Sequence, residues 1–240
     1  MENTTKIGMN RTGMQMAPIQ GPTQAAYAEA EGPTPADAVA LARERSACAA
    51  EAGRLGSVPP PGTGRGLLHT AADKLKGHNP EVLLDKLGQR LAYERSGVRL
   101  YDAVLAKVQV WSHAGQDALR NDLLAIREDE AAHFQLLAGV VMELGADPTA
   151  QTPAADVSAM AALGLVQVVT DPRTTVAQSL EALLTAELTD VACWELLSEL
   201  ARAEGHEAMA ERFDGAAGVE ARHLDTVRRW LRELLMHEAQ

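Results

Sequence analysis

A chain of 240 residues with 46% hydrophobic side chains has ample apolar material for a core, whether as one large domain or two small ones. Only 3% of residues are aromatic while Ala, Leu and Glu are plentiful, which favours helices over sheets and predicts an all-α fold. A net charge of −11 without any basic cluster argues against a nucleic-acid partner, and Cys48 and Cys193 lack the Cys-x-x-Cys spacing of a thiolate metal site or redox pair. Both cysteines read as buried small hydrophobes in a reducing compartment.

Residues 1–33 mix Thr, Gly, Met, Gln and Pro without periodicity, which predicts an arm that is irregular or draped over a partner surface. The arm lacks the apolar run of a signal peptide, and no run of about 18 apolar residues is found along the chain, so a cytoplasmic protein with no membrane partner is expected. Met9, Met14 and Met16 carry thioethers, which alone suit Cu(I), and nothing else in the chain does. Thr34-Pro35-Ala36-Asp37 supplies an N-cap, a proline at the first helical position and an acidic first turn, predicting a helix from Pro35 to about Arg54. The run from Ser57 to Gly64, with Pro59-Pro60-Pro61 at its centre, breaks the chain as a semi-rigid connector before a short amphipathic helix from Leu67 to Lys76. Residues 1–78 thus read as an N-terminal extension, partly irregular with one or two short helices, ahead of a domain at 79–240.

Asn79-Pro80-Glu81 caps the first helix of that domain, which runs to about Ser112 despite Gly88 and Gly97. A tight turn near Ala114-Gly115 leads to an antiparallel second helix, about Asp117 to Leu144, with Gly145 as its left-handed cap. A long crossover, Ala146 to Thr170, holds a short apolar helix starting at Thr152-Pro153. Asp171-Pro172 caps the third helix, which runs to about Glu204, and the fourth extends to about His237.

Each of the four long helices carries an apolar seam with steps of three and four: Leu87, Leu91, Val98 and Tyr101 in the first; Leu123, Ile126, Leu137 and Val140 in the second; Leu180, Leu183, Trp194 and Leu197 in the third; Phe213, Ala216, Val227 and Trp230 in the fourth. Near the middle of each seam the pattern turns polar: Glu94; Glu130 and His133; Glu187 and Asp190; Glu220 and His223. Residues three apart share a helix face, so each Glu-x-x-His aims a carboxylate and an imidazole at one point. A buried carboxylate costs several kcal/mol unless neutralised, and four glutamates converging with two histidines in one core call for strong positive charge, which two divalent ions would supply. The intervals 94 to 130 and 187 to 220 nearly match, and Tyr101 and Trp194 each stand seven residues after their glutamate, which reads as an internal duplication.

This order of ligands resembles the ferritin-like superfamily of di-iron and di-manganese carboxylate proteins, over about Asn79 to the C-terminus. The resemblance implies a four-helix bundle with a long crossover between helices 2 and 3, preceded here by the N-terminal helical extension. It implies that Glu130 and Glu220 bridge two ions, that Glu94 with His133 and Glu187 with His223 complete the two ends, and that Tyr101 matches the tyrosine that ferritins, bacterioferritins and rubrerythrins carry at that offset. Asp190, one turn after Glu187, is expected to orient a ligating histidine, and its repeat counterpart Gly97 to leave space on the opposite side for a small oxidant. His69, His78, His113, His206 and His237 fall outside the seams, and Arg127-Glu128-Asp129 and Arg228-Arg229 read as solvated faces, with Asp129 extending a metal access path.

The functional expectation that follows is redox chemistry of two Fe ions, with Mn the alternative metal, using O2 or peroxide as small-molecule substrate in a ferroxidase or peroxidase reaction. Electrons would come from a separate donor protein, because a rubrerythrin's rubredoxin domain has no counterpart here. The resemblance also implies a homo-oligomer. The alternatives are iron storage within an assembled shell and a manganese site of catalase type.

Overall fold

The computed structural model describes residues 9, 13, 17–32, 35–75, 77, 79–111 and 113–240. Met14 and Met16, the cap expected at Thr34, the helix end expected at Lys76, and His78 and Ser112 lie outside the described residues. Eight helices are formed by the described residues, with no strand among them: α1 (Gln20–Glu31), α2 (Pro35–Glu51), α3 (Gly64–Leu75), α4 (Pro80–Gln109), α5 (Gln116–Glu143), α6 (Pro153–Thr170), α7 (Val176–Ala203) and α8 (Glu207–Glu238). Residues Gly56–Gln240 form one compact unit, and α1 and α2 belong to another. The expected domain boundary at residues 78 and 79 therefore falls inside the larger unit, whose α3 packs on α4.

Within the smaller unit, α1 forms where the sequence suggests an irregular arm. Its Ala-Ala-Tyr-Ala-Glu-Ala-Glu run consists almost wholly of strong helix formers, and that local propensity outweighs the lack of a periodic apolar face. Helix α2 ends at Glu51, one turn before the expected Arg54, and exposes Cys48, so that cysteine is not the buried hydrophobe expected of it.

In the larger unit the apolar seams of α4, α5, α7 and α8 close on one another and divide the core into two halves. Leu100, Val104 and Val108 of α4 meet Leu119, Leu123 and Ile126 of α5, with Leu180 and Leu183 of α7 and Val227, Trp230 and Leu234 of α8. The other half joins Leu83, Leu87 and Leu91 to Leu137, Val140, Trp194, Leu197, Met209 and Phe213. Fully burying each such side chain stabilises the fold by roughly 1.5–3 kcal/mol.

These memberships fix the directions of the helices. The C-terminal part of α4 lies with the N-terminal parts of α5 and α7 and the C-terminal part of α8, so the order is up, down, down, up. Because α5 and α7 point the same way, the chain must return the length of the bundle between them, and α6 makes that return. At about 1.5 Å per residue its helix covers roughly 27 Å. With 18 residues it is longer than the short helix expected, and by length and composition it is apolar enough to cross a membrane, which corrects the expectation that no such run exists. It packs on α4 and α7, burying Ala155, Ser158, Ala162 and Val169.

Local signals set the ends. Thr152 caps α6 by accepting from the Ala155 N–H, and its side chain seats where α4 carries Gly88: a Cβ there would lie 2.6 Å from Thr152 Oγ1. The cap of α7 is Thr175, in a reciprocal capping box with Gln178, rather than Asp171. Asp171 instead ends α6 and binds Arg173 through both carboxylate oxygens, at 2.9 and 2.6 Å. Gly145, at φ +76°, closes α5 as expected.

Candidate metal centre

The polar residues of the four seams lie between the two apolar halves. Glu94, Glu130, Glu187 and Glu220 are at most 1% exposed, and His133 and His223 are 6% and 3% exposed. Ligand atoms of Glu130, Glu187, Glu220 and His223 all lie within 4.8 Å of one another, and so do those of Glu94, His133 and Glu220. Glu220 belongs to both groups and is placed to join them. Glu130 joins the first, its Oε1 3.8 Å from His223 Nδ1.

Each side chain is aimed by its neighbours. His133 turns Nδ1 inward, 2.6 Å from Glu220 Oε1 and 3.7 Å from Glu94 Oε2. His133 Nδ1 and Glu220 Oε1 are within ion-pair range but out of line for a hydrogen bond, so both stay aimed at the space between the helices. His223 Nδ1 lies 3.1 Å from Glu220 Oε2 and 3.8 Å from Glu187 Oε2, while its Nε2 lies 3.1 Å from Asp129 Oδ2 on α5.

The two outer carboxylates are held in the same way from opposite sides. Glu94 Oε1 accepts from the Trp194 indole N–H at 3.0 Å and from the Arg90 guanidinium, leaving Oε2 unbonded. Glu187 Oε1 accepts from the Tyr101 hydroxyl, and again Oε2 is left unbonded. Both oxygens of Glu130 lack partners as well. Buried polar atoms are nearly always bonded, and this many orphans facing one interior point form a group that could hold metal ions.

Protonation follows from this crowding. Burial, together with the charges of Glu94, Asp190 and Glu220, pushes the Glu130 carboxyl well above the carboxylate range. Burial raises Glu187 likewise, helped by Asp190 and Glu220, and raises Glu94 against the pull of Arg90. Glu220 goes the other way: burial opposes its ionisation, but the imidazoles of His133 and His223 beside it bring it down to about 2. Burial would lower His223, yet Glu220 and Asp129 raise it. Burial and the Glu187 carboxylate lift Tyr101 far above its ordinary value, so the phenol stays a donor.

Two expectations about residues near the site are corrected. Asp190 bonds to Arg90 rather than to an imidazole, because the guanidinium reaches across from α4 and the two charges are fully buried together. Gly97 does not leave free space: a Cβ there would lie 2.1 Å from Glu130 Oε2, so the glycine is the seat of that carboxylate.

Arg90 is a contributor that the seams do not show, and Asp129, expected beside a metal access path, has a histidine partner that they do not show either. Arg90 stands four residues before Glu94 and is 2% exposed, with Tyr93 and Trp194 rings 4.9 and 5.6 Å from its guanidinium carbon. The signal was the i,i+4 spacing of opposite charges beside a buried glutamate. Asp129 precedes the Glu-x-x-His of α5; it lies on the solvated face as expected, and from there its half-exposed carboxylate reaches His223 on α8. The other charges of the two stretches lie on the surface as expected, with Arg127 paired to Asp102 at 2.9 Å and Arg229 to Asp122 at 2.8 Å. Outside the seams, His113 stacks on Trp111 at 4.4 Å, His206 precedes α8 and His237 is exposed.

No protein-family model matches the sequence, and no curated protein matches it either. Among solved structures the chain is similar to one described as a ferritin-like, diiron-carboxylate protein from Bacillus anthracis str. Ames, with 20% identity, a TM-score of 0.49, and coverage of 62% of this chain and 94% of that one. The up-down-down-up order of α4, α5, α7 and α8, with α6 as the long crossover and a glutamate-histidine layer at mid-height, makes the bundle ferritin-like in fold.

Proposed function

We propose that this bundle holds two iron ions and uses them to reduce O2 or peroxide, as a ferroxidase or peroxidase. The observation that carries the reading is the set of buried, unbonded atoms converging on one space: Glu94 Oε2, both oxygens of Glu130, His133 Nδ1, Glu187 Oε2 and Glu220 Oε1. Carboxylate oxygen and imidazole nitrogen suit iron and also manganese, and the mixture excludes the soft thiolate sites preferred by Cu(I). Glu94 with His133 would hold one ion and Glu187 with His223 the other, while Glu220 and Glu130 would lie between them. Bound as Fe(II), the pair supplies the electrons for reduction of the oxidant.

The chain's own residues prepare that chemistry. Tyr101 and Trp194 fix one oxygen of each outer carboxylate, so that a single oxygen of each faces inward. The apolar halves above and below keep bulk water from the layer. Asp129 holds the Nε2 side of His223, which fixes the ring so that Nδ1 is the ligand atom. With no thiolate site in the chain, we assign re-reduction to a separate donor protein.

The test is to load the metal-free protein anaerobically with Fe(II), count the ions retained, and then add limiting peroxide. Two ions per chain and stoichiometric oxidant consumption at constant bound iron are expected, and Glu220→Ala should lose both ions because that carboxylate belongs to both ligand groups. Full retention of two ions by that variant would end the assignment.

A further inference from the structure

The two ends of the centre are built from matching positions of the repeat, yet they differ at three of them. Arg90, whose match is Leu183, places a buried guanidinium on Glu94 Oε1, whereas Glu187 Oε1 is held by the neutral phenol of Tyr101. Asp129 secures Nε2 of His223, whereas the residue matching Asp129, ahead of Glu220, is Val219, which offers His133 no acceptor. Asp190, whose match is Gly97, binds Arg90 and so locks the guanidinium against Glu94. The ligand atoms echo the difference, with four converging around His223 and three around His133.

Each difference acts in the same direction on an incoming cation. At the His223 end three carboxylates and an imidazole oriented by Asp129 face the space, and no guanidinium among the described residues lies on the outer carboxylate. At the His133 end a fixed positive charge already shares the outer carboxylate, drawing electron density from Glu94 and repelling a second cation at short range. The guanidinium is itself held by two buried acids, so it cannot swing away when the ion arrives.

Resting on the two-metal reading above, we propose that Arg90 is a positioning residue that makes the two half-sites unequal. The half-site of Glu187, Glu130, Glu220 and His223 fills first and holds its ion more tightly, and the half-site of Glu94 and His133 fills second and exchanges its ion. The inequality gives the protein one retained ion and one that comes and goes, with Arg90 beside the latter.

Stepwise titration of the metal-free, full-length protein with Co(II), followed by its visible absorption, reads the two steps separately. Wild type should show two binding constants separated by about tenfold or more, the scale on which residues behind a ligand alter metal affinity. Glu94→Gln should abolish the weak step and leave the tight one, which locates the order. Arg90→Leu combined with Asp190→Asn should tighten the second step and leave the first, whereas a merely structural role for Arg90 would loosen both. Asp129→Val, at a half-exposed position outside the buried pair, should weaken the first step alone. Arg90→Lys, which keeps the charge, should preserve the wild-type order. Two equal constants in wild type, or loss of the tight step in Glu94→Gln, would overturn the inequality while leaving the two-metal reading standing; no Co(II) bound at all would remove both.

Discussion

Tyr101 and Trp194 each donate to the carboxylate that belongs to the other's helix. Tyr101 on α4 binds Glu187 of α7, and Trp194 on α7 binds Glu94 of α4, each donor standing seven residues after the glutamate on its own helix. The exchange ties the halves together at the level of the site. Tyr101→Phe removes the hydroxyl donor of Glu187 Oε1 and leaves that buried oxygen unbonded, at a cost of about 1–3 kcal/mol. Urea unfolding of the metal-free variant should show that loss in the midpoint with an unchanged slope.

Gly97 is the tightest steric requirement of the centre. Gly97→Ala should displace Glu130 and lower the number of ions bound per chain, because its Cβ would meet both Glu130 Oε2 and the carboxyl carbon, the latter at 2.9 Å. Gly218→Ala on α8 meets nothing within 4 Å and should instead stabilise the helix by up to about 1 kcal/mol. Metal analysis and thermal melting of the two variants together separate displaced ligand from altered helix propensity.

Arg90→Ala should destabilise the protein by about 3–5 kcal/mol, since it leaves Asp190 and Glu94 buried without their cation. Arg90→Leu with Asp190→Leu should recover part of that loss, because it removes one of the two buried acids that the missing guanidinium would strand. A double variant no more stable than Arg90→Ala in a denaturant titration would refute the pairing.

The pH dependence of the metal-free protein follows from the raised groups. Glu94, Glu130 and Glu187 have folded values above their ordinary 4.5. Their contribution to stability is full below that value and is lost as pH rises through the folded ones. His223, raised from 6.5, loses its contribution in the same direction. Glu220, lowered to about 2, acts oppositely: its contribution is present above 4.5 and lost as pH falls toward 2. The melting temperature of the metal-free protein should therefore fall as pH rises above the ordinary carboxylate value of 4.5, and saturating Mn(II) should flatten that fall by replacing protons with ions.

The seams made the bundle and its six glutamate and histidine positions readable, because a polar residue at an apolar position of a regular 3–4 pattern shows which way it faces. Arg90 and Asp190 were harder, since their bond joins residues a hundred positions apart and depends on how α4 meets α7. Gly97 looked like vacant room because a sequence shows the missing side chain but not the carboxylate of α5 that fills the place. The cap of α7 was expected at Asp171, and Thr175, four residues on, prevails because Gln178 completes its capping box.

The Arg90–Asp190 pair also decides which halves of this chain can assemble. Were two copies of the α4–α5 hairpin to face each other, each guanidinium would meet a glycine, the match of Asp190; were two α7–α8 hairpins to do so, each Asp190 would meet a leucine, the match of Arg90. Either homotypic union buries charge without its counterpart, and only the mixed one neutralises it. A bundle whose halves repeat the same ligand pattern is thereby asymmetric at this pair, and a hairpin expressed alone should seek its complement in preference to itself.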